Sequence, residues 1–267
     1  MTANAKPLPD EPIVLRDDAD GVTTLTMNRP AARNALSKAL MTAMMDALKT
    51  IRADAAVKAV VIAGAGPVYC AGHDLKELRA NPSRQSYEAA FELCSRLMMT
   101  IVHLPQPVVA KVHATATAAG CQLVASCDLA LAAEGARFAT PGVNIGLFCS
   151  TPMVALSRAV GRKRAMEMLL TGEAIDAEEA RAAGLVNRVV AADALDAETE
   201  TLTRKLAEKS PLTVAIGKEA FYRQIDVGLE DAYAFASAAM TRNMMADDAL
   251  EGIDAFLEKR KPAWTGR

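Results

Sequence analysis

Aromatic side chains are scarce, at 4% of 267 residues with a single Trp, and there are only three histidines. Without a Cys-x-x-Cys pair, so few histidines leave no structural zinc site, and no metal is expected. The five cysteines (Cys70, Cys94, Cys121, Cys127, Cys149) are odd in number and lie in apolar or Ala-rich surroundings. They read as reduced core residues rather than a disulfide frame, which places the chain in the cytosol. No apolar run approaches the ~20 residues that cross a bilayer. A formal net charge of −2 gives no reason for a nucleic-acid or anionic-membrane partner. Residues 1–12 are polar and proline-rich, lack an apolar signal core, and are too acidic for a transit peptide. A soluble cytoplasmic protein is therefore expected. There is no Gly-x-Gly-x-x-Gly after a strand, no Gly-x-x-x-x-Gly-Lys-[Ser/Thr], and no His-Glu-x-x-His. Redox, nucleotide-hydrolysing and metalloprotease functions have no support, and no covalently bound cofactor is expected.

Hydrophobic residues make up 51% of the chain and charged residues 23%, enough for one large domain or a domain with an appendage. Ile13-Val14-Leu15, a turn at 17–21, and Thr23, Leu25 and Met27 in alternation predict a hairpin. Ser37 is positioned to cap a helix carrying Leu40, Met44, Leu48 and Ile51. A strand is predicted at 59–62 and a helix at 84–103 with Phe91, Cys94, Met98 and Ile101 on one face. Strands at 108–112, 129–132 and 186–190 alternate with a helix containing Gln122 and helices around 151–159, 162–170 and 176–182. Such alternation implies parallel βαβ units with right-handed crossovers. From about residue 192 the pattern is helical only, so a core at 1–191 and a helical oligomerisation region at 192–267, separate from the sheet, are expected.

Residues 117–123, Thr-Ala-Ala-Gly-Cys-Gln-Leu, open a buried helix after an apolar strand. The first amides of a helix lack internal partners and carry the positive end of its dipole. The small side chains of Ala118, Ala119 and Gly120 would let a ligand oxygen approach those donors. An oxyanion can be held there. Gln122, unlike Glu, neither takes nor gives a proton.

Residues 69–78, Tyr-Cys-Ala-Gly-His-Asp-Leu-Lys-Glu-Leu, resemble the first oxyanion segment of the enoyl-CoA hydratase/isomerase (crotonase) superfamily, and residues 116–132 resemble its second. Residues 158–190 are similar to the stretch that follows its active site, and Phe256-Leu257-Glu258-Lys259-Arg260-Lys261-Pro262 resembles its tail. The combination of His73 to Lys76, Ala119 to Gln122 and Thr140 to Val143 most resembles one subgroup within it. The resemblance implies an α/β fold, a spiral of ββα units with a C-terminal helical region, assembled as a homotrimer or a dimer of trimers. It also implies an acyl-CoA thioester as ligand, with CoA as part of the substrate, in fatty-acid metabolism. Carried over, the oxyanion donors are the amides of His73 and Ala119; Lys76 lies near the CoA phosphates. Phe256 and Lys259 reach CoA on a neighbouring subunit. Ala35, Ala71 and Leu75 fall in the CoA-facing loops, and Asp74 caps the helix that begins at Leu75.

The two family glutamates that position and deprotonate water fall at Gln122 and Gly142. A general acid or base contributes ~10²–10⁴ in rate, so hydration of 2-enoyl-CoA, the nominal reaction, is expected to be weak. Isomerisation also lacks a base at either matched position. A thioester decarboxylation, which needs no protein base, and a catalytically silent acyl-CoA-binding scaffold are the alternatives. For the His73 side chain, a passive role beside its own working amide is expected. Cys149 and Ser150 would line the acyl pocket, with Cys149 a buried, inert thiol; Cys121 and Cys127 read as packing residues. A solvated lysine at 76, core packing at Phe256 and an exposed charge at Lys259 are the bland readings of those positions. Lys111, in an apolar strand, has no account from sequence.

Overall fold

In the computed structural model, which describes residues 11–267, the chain opens with the expected hairpin. Strands β1 (Val14–Ala19) and β2 (Val22–Met27) pair antiparallel with Val14 opposite Met27. Asp20 and Gly21, with φ of 51° and 77°, turn between them. Two consecutive positive φ values give the tight turn that matches strand twist. It is shorter than the span predicted from the Asp/Gly cluster because the ladder continues to Ala19 and Val22.

Ser37 caps α1 (Lys38–Arg52), its hydroxyl accepting from the Leu40 amide at 3.2 Å, and Leu40, Met44, Leu48 and Ile51 are fully buried. Then follow β3 (Ala59–Gly64), α2 (Leu75–Ala80), α3 (Arg84–Val102), β4 (Val108–Val112), β5 (Ala116–Thr117), α4 (Ala119–Ser126), β6 (Leu129–Ala133) and β7 (Arg137–Ala139). A 3-10 segment, Pro141–Ile145, precedes α5 (Pro152–Ala159), α6 (Arg162–Thr171), β8 (Ile175–Asp176), α7 (Ala177–Ala183) and β9 (Arg188–Val190). Four helices complete the chain: α8 (Leu195–Ala207), α9 (Pro211–Gln224), α10 (Leu229–Met244) and α11 (Asp247–Glu258).

The main sheet has the order β1-β2-β3-β4-β6-β9, parallel from β2 onward, with helices of the α1–α4 region buried against it. A second, three-stranded sheet, β5-β7-β8, is absent from the sequence reading. Strands of two or three residues show no alternation that a pattern could register. On α3, Cys94, Met98 and Ile101 are buried as expected, while Phe91 remains 38% exposed.

The helical tail is less separate from the sheet than its pattern implies. Leu195, Leu202 and Leu206 of α8 pack on Val109, Leu131 and Ala133. Lys111 acquires its account here: its ammonium lies 2.5 Å from the Asp196 carboxylate, joining β4 to the first turn of α8. Helix α9 is held by a buried cation. The Lys218 ammonium, on a side chain only 8% exposed, donates to the Asp128 carboxylate at 2.6 Å and to the carbonyls of Ile101 and Gln106 at 3.0 Å. The Tyr222 hydroxyl and the Val108 amide also donate to Asp128, at 2.9 and 2.7 Å. All donor positions of the ammonium are thereby satisfied. Removing one partner of such a pair leaves an uncompensated buried charge. Lys218→Ala is therefore expected to lower unfolding free energy by about 3–5 kcal/mol in a urea titration. A loss under ~1 kcal/mol, the range of exposed pairs, would show the contact to be solvated.

Candidate active site at the junction of two chain segments

The segment before α2 and the segment that opens α4 run against each other. Thr117 donates through its amide to Cys70 O at 2.9 Å and through its hydroxyl to Ala71 O at 3.1 Å. Gly72 has φ +86°, and a Cβ built there would lie 2.8 Å from Ala118 Cβ and 3.1 Å from Ala119 N. A Cβ on Gly120 would strike the Cys70 carbonyl. Only glycine admits this approach. Both glycines are site residues that sequence reasoning undervalued.

The approach brings the Ala119 amide against Gly72, the residue before His73. The Leu36 amide donates to Gly72 O at 2.7 Å, and its carbonyl accepts from the Asp74 amide at 3.3 Å. Alternate amides of an extended strand point to opposite edges, so the His73 amide faces away from Leu36. Ala119 begins α4, where an amide has no intrahelical acceptor. Among the described residues, no main-chain or side-chain oxygen accepts from either one. Ala118, between the segments, holds φ 50° and ψ −119°. An L-residue is strained there, and the surroundings hold it: its amide donates to Ala139 O at 2.9 Å and its carbonyl accepts from Gln122 N at 3.0 Å.

Gln122 is 4% exposed, and the Cys94 thiol of α3 lies 3.9 Å from its Oε1. Gly142 lies in the 3-10 segment. A Cβ there would come 2.7 Å from Leu147 O and 2.9 Å from Cys149 Sγ, so space, rather than a left-handed turn, forbids a side chain. Cys149 is buried, and burial pushes its thiol up; the thiols of Cys70, Cys94 and Cys121 are pushed by burial to about 12. Such thiols stay protonated at neutral pH and are inert packing groups.

The His73 side chain turns inward from its loop. Its ring meets the Phe91 ring edge-on, centroids 5.2 Å apart at 86°, and its Nε2 is buried without a partner. Burial lowers its pKa, so the imidazole is neutral at pH 7. Asp74 caps α2, accepting from Glu77 N at 3.2 Å, and meets Arg29 at 3.1 Å. Burial pushes its carboxyl up, but the Glu77 amide and the Arg29 guanidinium outweigh this and hold it low.

The remaining candidates divide between this junction and the surface. Ala35 is buried and Ala71 half-buried beside it, Ala35 O accepting from Arg29 at 2.5 Å and Ala71 N donating to Arg33 O at 3.0 Å. Leu75 and Lys76 are exposed on α2. Phe256, 82% exposed, and Lys259 lie apart, at the end of α11, which packs on α9 and α10. A cavity of about 1490 Å³ lies between α3, α5 and α9, with Met98, Met99, Val154, Ala155 and Phe221 in its wall. It reaches Gln122, though His73, Ala119 and Gly142 are not in its lining.

Comparison with known proteins decides the family. The enoyl-CoA hydratase/isomerase model matches residues 17–267. The chain belongs to the enoyl-CoA hydratase/isomerase family. Enoyl-CoA hydratase domain-containing protein 3 of mouse and of human are each 47% identical over 246 residues, 92% of this chain and 82% and 81% of theirs. That is the subgroup whose motif combination this sequence resembles. A crystal structure of an enoyl-CoA hydratase of Mycobacterium smegmatis superposes with a TM-score of 0.93 at 57% identity, covering 95% of this chain and 99% of that one. The human domain-containing protein 3 superposes at 0.92 and 46% identity, covering 95% and 100%. The crotonase-like fold is thereby established, with its helical C-terminal region.

One expectation is corrected. The mouse and human relatives are named as mitochondrial proteins, which overturns the cytoplasmic location inferred from the cysteines and residues 1–12. Buried reduced thiols report a reducing environment without specifying which compartment supplies it. Residues 1–10, on which the leader argument mostly rested, lie outside the described residues.

Two variants test the geometry of this family site. Relief of strain at Ala118, of order 1–3 kcal/mol, exceeds the ~0.5–1 kcal/mol entropic cost of glycine. Ala118→Gly is expected to raise Tm by roughly 2–4 °C for a net gain of about 1 kcal/mol, whereas Ala118→Val lowers it. A lower Tm for the glycine variant would mean that the strain is absent. Gly142→Glu is expected to lower Tm without adding hydratase activity; an unchanged Tm would show that the 142–149 loop yields readily.

Proposed function

We propose that this protein binds an acyl-CoA thioester and polarises its carbonyl between the main-chain amides of His73 and Ala119. The observation that carries this reading is the pair of neighbouring amides without partners, at a junction that two glycines hold closed. An enolate forming on a thioester oxygen needs fixed donors, and each is worth ~10²–10³ in rate. The cavity beside Gln122 supports the acyl half of the reading, because an apolar wall of methionine, valine and phenylalanine suits a hydrocarbon chain. Lys76, and Phe256 with Lys259 from a neighbouring copy, are assigned to the CoA moiety. Exposed Ile145, Leu229, Met245 and Phe256 support assembly of the chain into trimers or paired trimers.

The nominal family reaction is hydration of 2-enoyl-CoA, and in this chain it is slow. Gln122 orients without proton transfer, and Gly142 has no room for a carboxylate. The same two positions favour a second reading, an acyl-CoA-binding oligomer without turnover. Loss of enoyl absorbance from crotonyl-CoA is expected to run at least ~100-fold below a hydratase with both carboxylates. Turnover at the ordinary hydratase level overturns the roles given to Gln122 and Gly142.

Affinity for saturated acyl-CoAs, measured calorimetrically, is expected to rise up to about fourfold per added methylene, since each buried CH₂ contributes about 0.8 kcal/mol. A flat series removes the cavity from the acyl site. Absence of heat up to millimolar butyryl-CoA removes the CoA reading altogether.

A further inference from the structure

The cavity that reaches Gln122 has a direction, and its two ends differ chemically. On α3 its wall is formed by Ser95, Met98, Met99, Val102 and His103, the spacing of a single helical face. Gln122, one turn into the helix that the Ala119 amide opens, marks the near end. It meets α3 at Cys94, whose thiol lies 3.9 Å from Gln122 Oε1. His103, which closes α3, marks the far end. From Cys94 to His103 is nine residues, or about 13 Å along the axis. At about 1490 Å³ the cavity is larger than the ~300–1,000 Å³ usual for a small-ligand pocket.

The far end is short of negative charge. Six cationic side chains and three carboxylates line the cavity. Each carboxylate is already bonded to a cation of the same wall: Asp128 to Lys218 at 2.6 Å, Glu219 to Arg242 at 3.1 Å, and Asp226 to Arg158 at 3.3 Å. Arg52, the last residue of α1, makes no ion pair among the described residues. Its guanidinium donates to the His103 carbonyl, which fixes it at the end of α3. Asp128 does not serve it, being occupied by Lys218, the Tyr222 hydroxyl and the Val108 amide. Burial first, and the Arg52 charge with it, holds the Lys218 ammonium below its ordinary pKa despite Asp128. A cation at the carbonyl end of a helix also has a plain capping role. That role engages one of the five N–H donors of Arg52 and leaves its planar fork open to a carboxylate.

We propose that the acyl group taken by this site is long and ends in a carboxylate: an ω-carboxyacyl thioester whose distal carboxylate is received by Arg52. This rests on the acyl-CoA reading above. Hydration adds water at C3, so Gln122, matched to a water-holding glutamate, faces C3. An extended chain advances ~1.2 Å per bond, as three backbone bonds span ~3.6 Å, so about 13 Å holds roughly 11 bonds. The carboxyl carbon therefore reaches Arg52 in an acyl group of about 14 carbons. On a much shorter chain the same carboxylate stops beside Met98 and Met99, where an unpaired charge is costly.

The test is calorimetric affinity of the full chain for paired thioesters with and without the distal carboxylate. Tetradecanedioyl mono-CoA is expected to bind about 10–100-fold tighter than tetradecanoyl-CoA, the range of a hydrogen bond between charged groups. With six carbons the sign reverses, and hexanedioyl mono-CoA is expected to bind at least about tenfold more weakly than hexanoyl-CoA. Arg52→Gln is expected to cut the fourteen-carbon advantage to under about threefold, whereas Arg52→Lys, which keeps the charge, retains more than that. The ratio is read within each variant, so a general loosening at the end of α3, felt by both ligands, does not imitate the effect. Equal or weaker binding of tetradecanedioyl mono-CoA by the unsubstituted protein overturns the proposal, and that comparison stands even if Arg52→Gln fails to fold. So does an advantage that persists in folded Arg52→Gln. Absence of binding by all four thioesters sinks the acyl-CoA reading itself, an outcome distinct from equal affinities within each pair.

Discussion

Main-chain contact between residues 70–73 and 117–120 is the constraint on which everything else depends. Thr117 bonds Cys70 and Ala71, while Gly72 and Gly120 stand where a methyl group would collide with the opposite backbone. Two backbones pressed this closely satisfy most of their polar groups on each other. The His73 and Ala119 amides are left over, and their proximity follows directly from the contact. Ala118 is strained by the same contact, its φ of 50° being what lets the chain turn from β5 into α4 while keeping the Ala139 and Gln122 bonds.

A site assembled from main-chain donors responds to substitution differently from one assembled from side chains. Replacing Glu by Gln at 122, or by Gly at 142, leaves the His73 and Ala119 amides where they are, because neither change touches residues 70–73 or 118–119. What such replacements remove is proton transfer. The two effects are of similar size, ~10²–10³ for a lost oxyanion donor against ~10²–10⁴ for a lost acid or base. On the oxyanion reading proposed above, retaining the first alone keeps ligand recognition and leaves proton transfer without a group at either matched position. Cysteine does not fill that role, since burial keeps the thiols protonated.

The parts of the fold with a strong period were legible. Leu40, Met44, Leu48 and Ile51 recur at helical spacing over about three turns, and Ser37 has the chemistry of a cap, so the existence and start of α1 could be read. Thr23, Leu25 and Met27 alternate and form β2. The small sheet was invisible because β5 and β8 have two residues each. At the site, the family motifs pointed to the His73 and Ala119 amides, to Gln122 and to Gly142. They could not show that the His73 ring turns inward onto Phe91, since a ring's direction depends on a helix many residues downstream. Nor could they separate two reasons for a glycine. At Gly72 the backbone needs φ +86°, whereas at Gly142 the Leu147 carbonyl and Cys149 occupy the space.

The tail, read as a region apart, is tied to the site through α4. That helix begins at the Ala119 amide, presents Gln122 one turn later, and leads into Asp128. Its start is pinned by Gly72 and Cys70. Beyond its end, Asp128 takes the Lys218 ammonium, the Tyr222 hydroxyl and the Val108 amide. A short helix fixed at both ends cannot shift along its axis without breaking a buried ion pair or a backbone contact. An amide that polarises a carbonyl gains from this, because misplacement by a fraction of an ångström weakens electrostatic stabilisation. Helix α9 therefore closes one wall of the cavity and, through Lys218, also sets the register of the helix that begins at the Ala119 amide. The junction in the N-terminal half is thus braced by a lysine about a hundred residues further along.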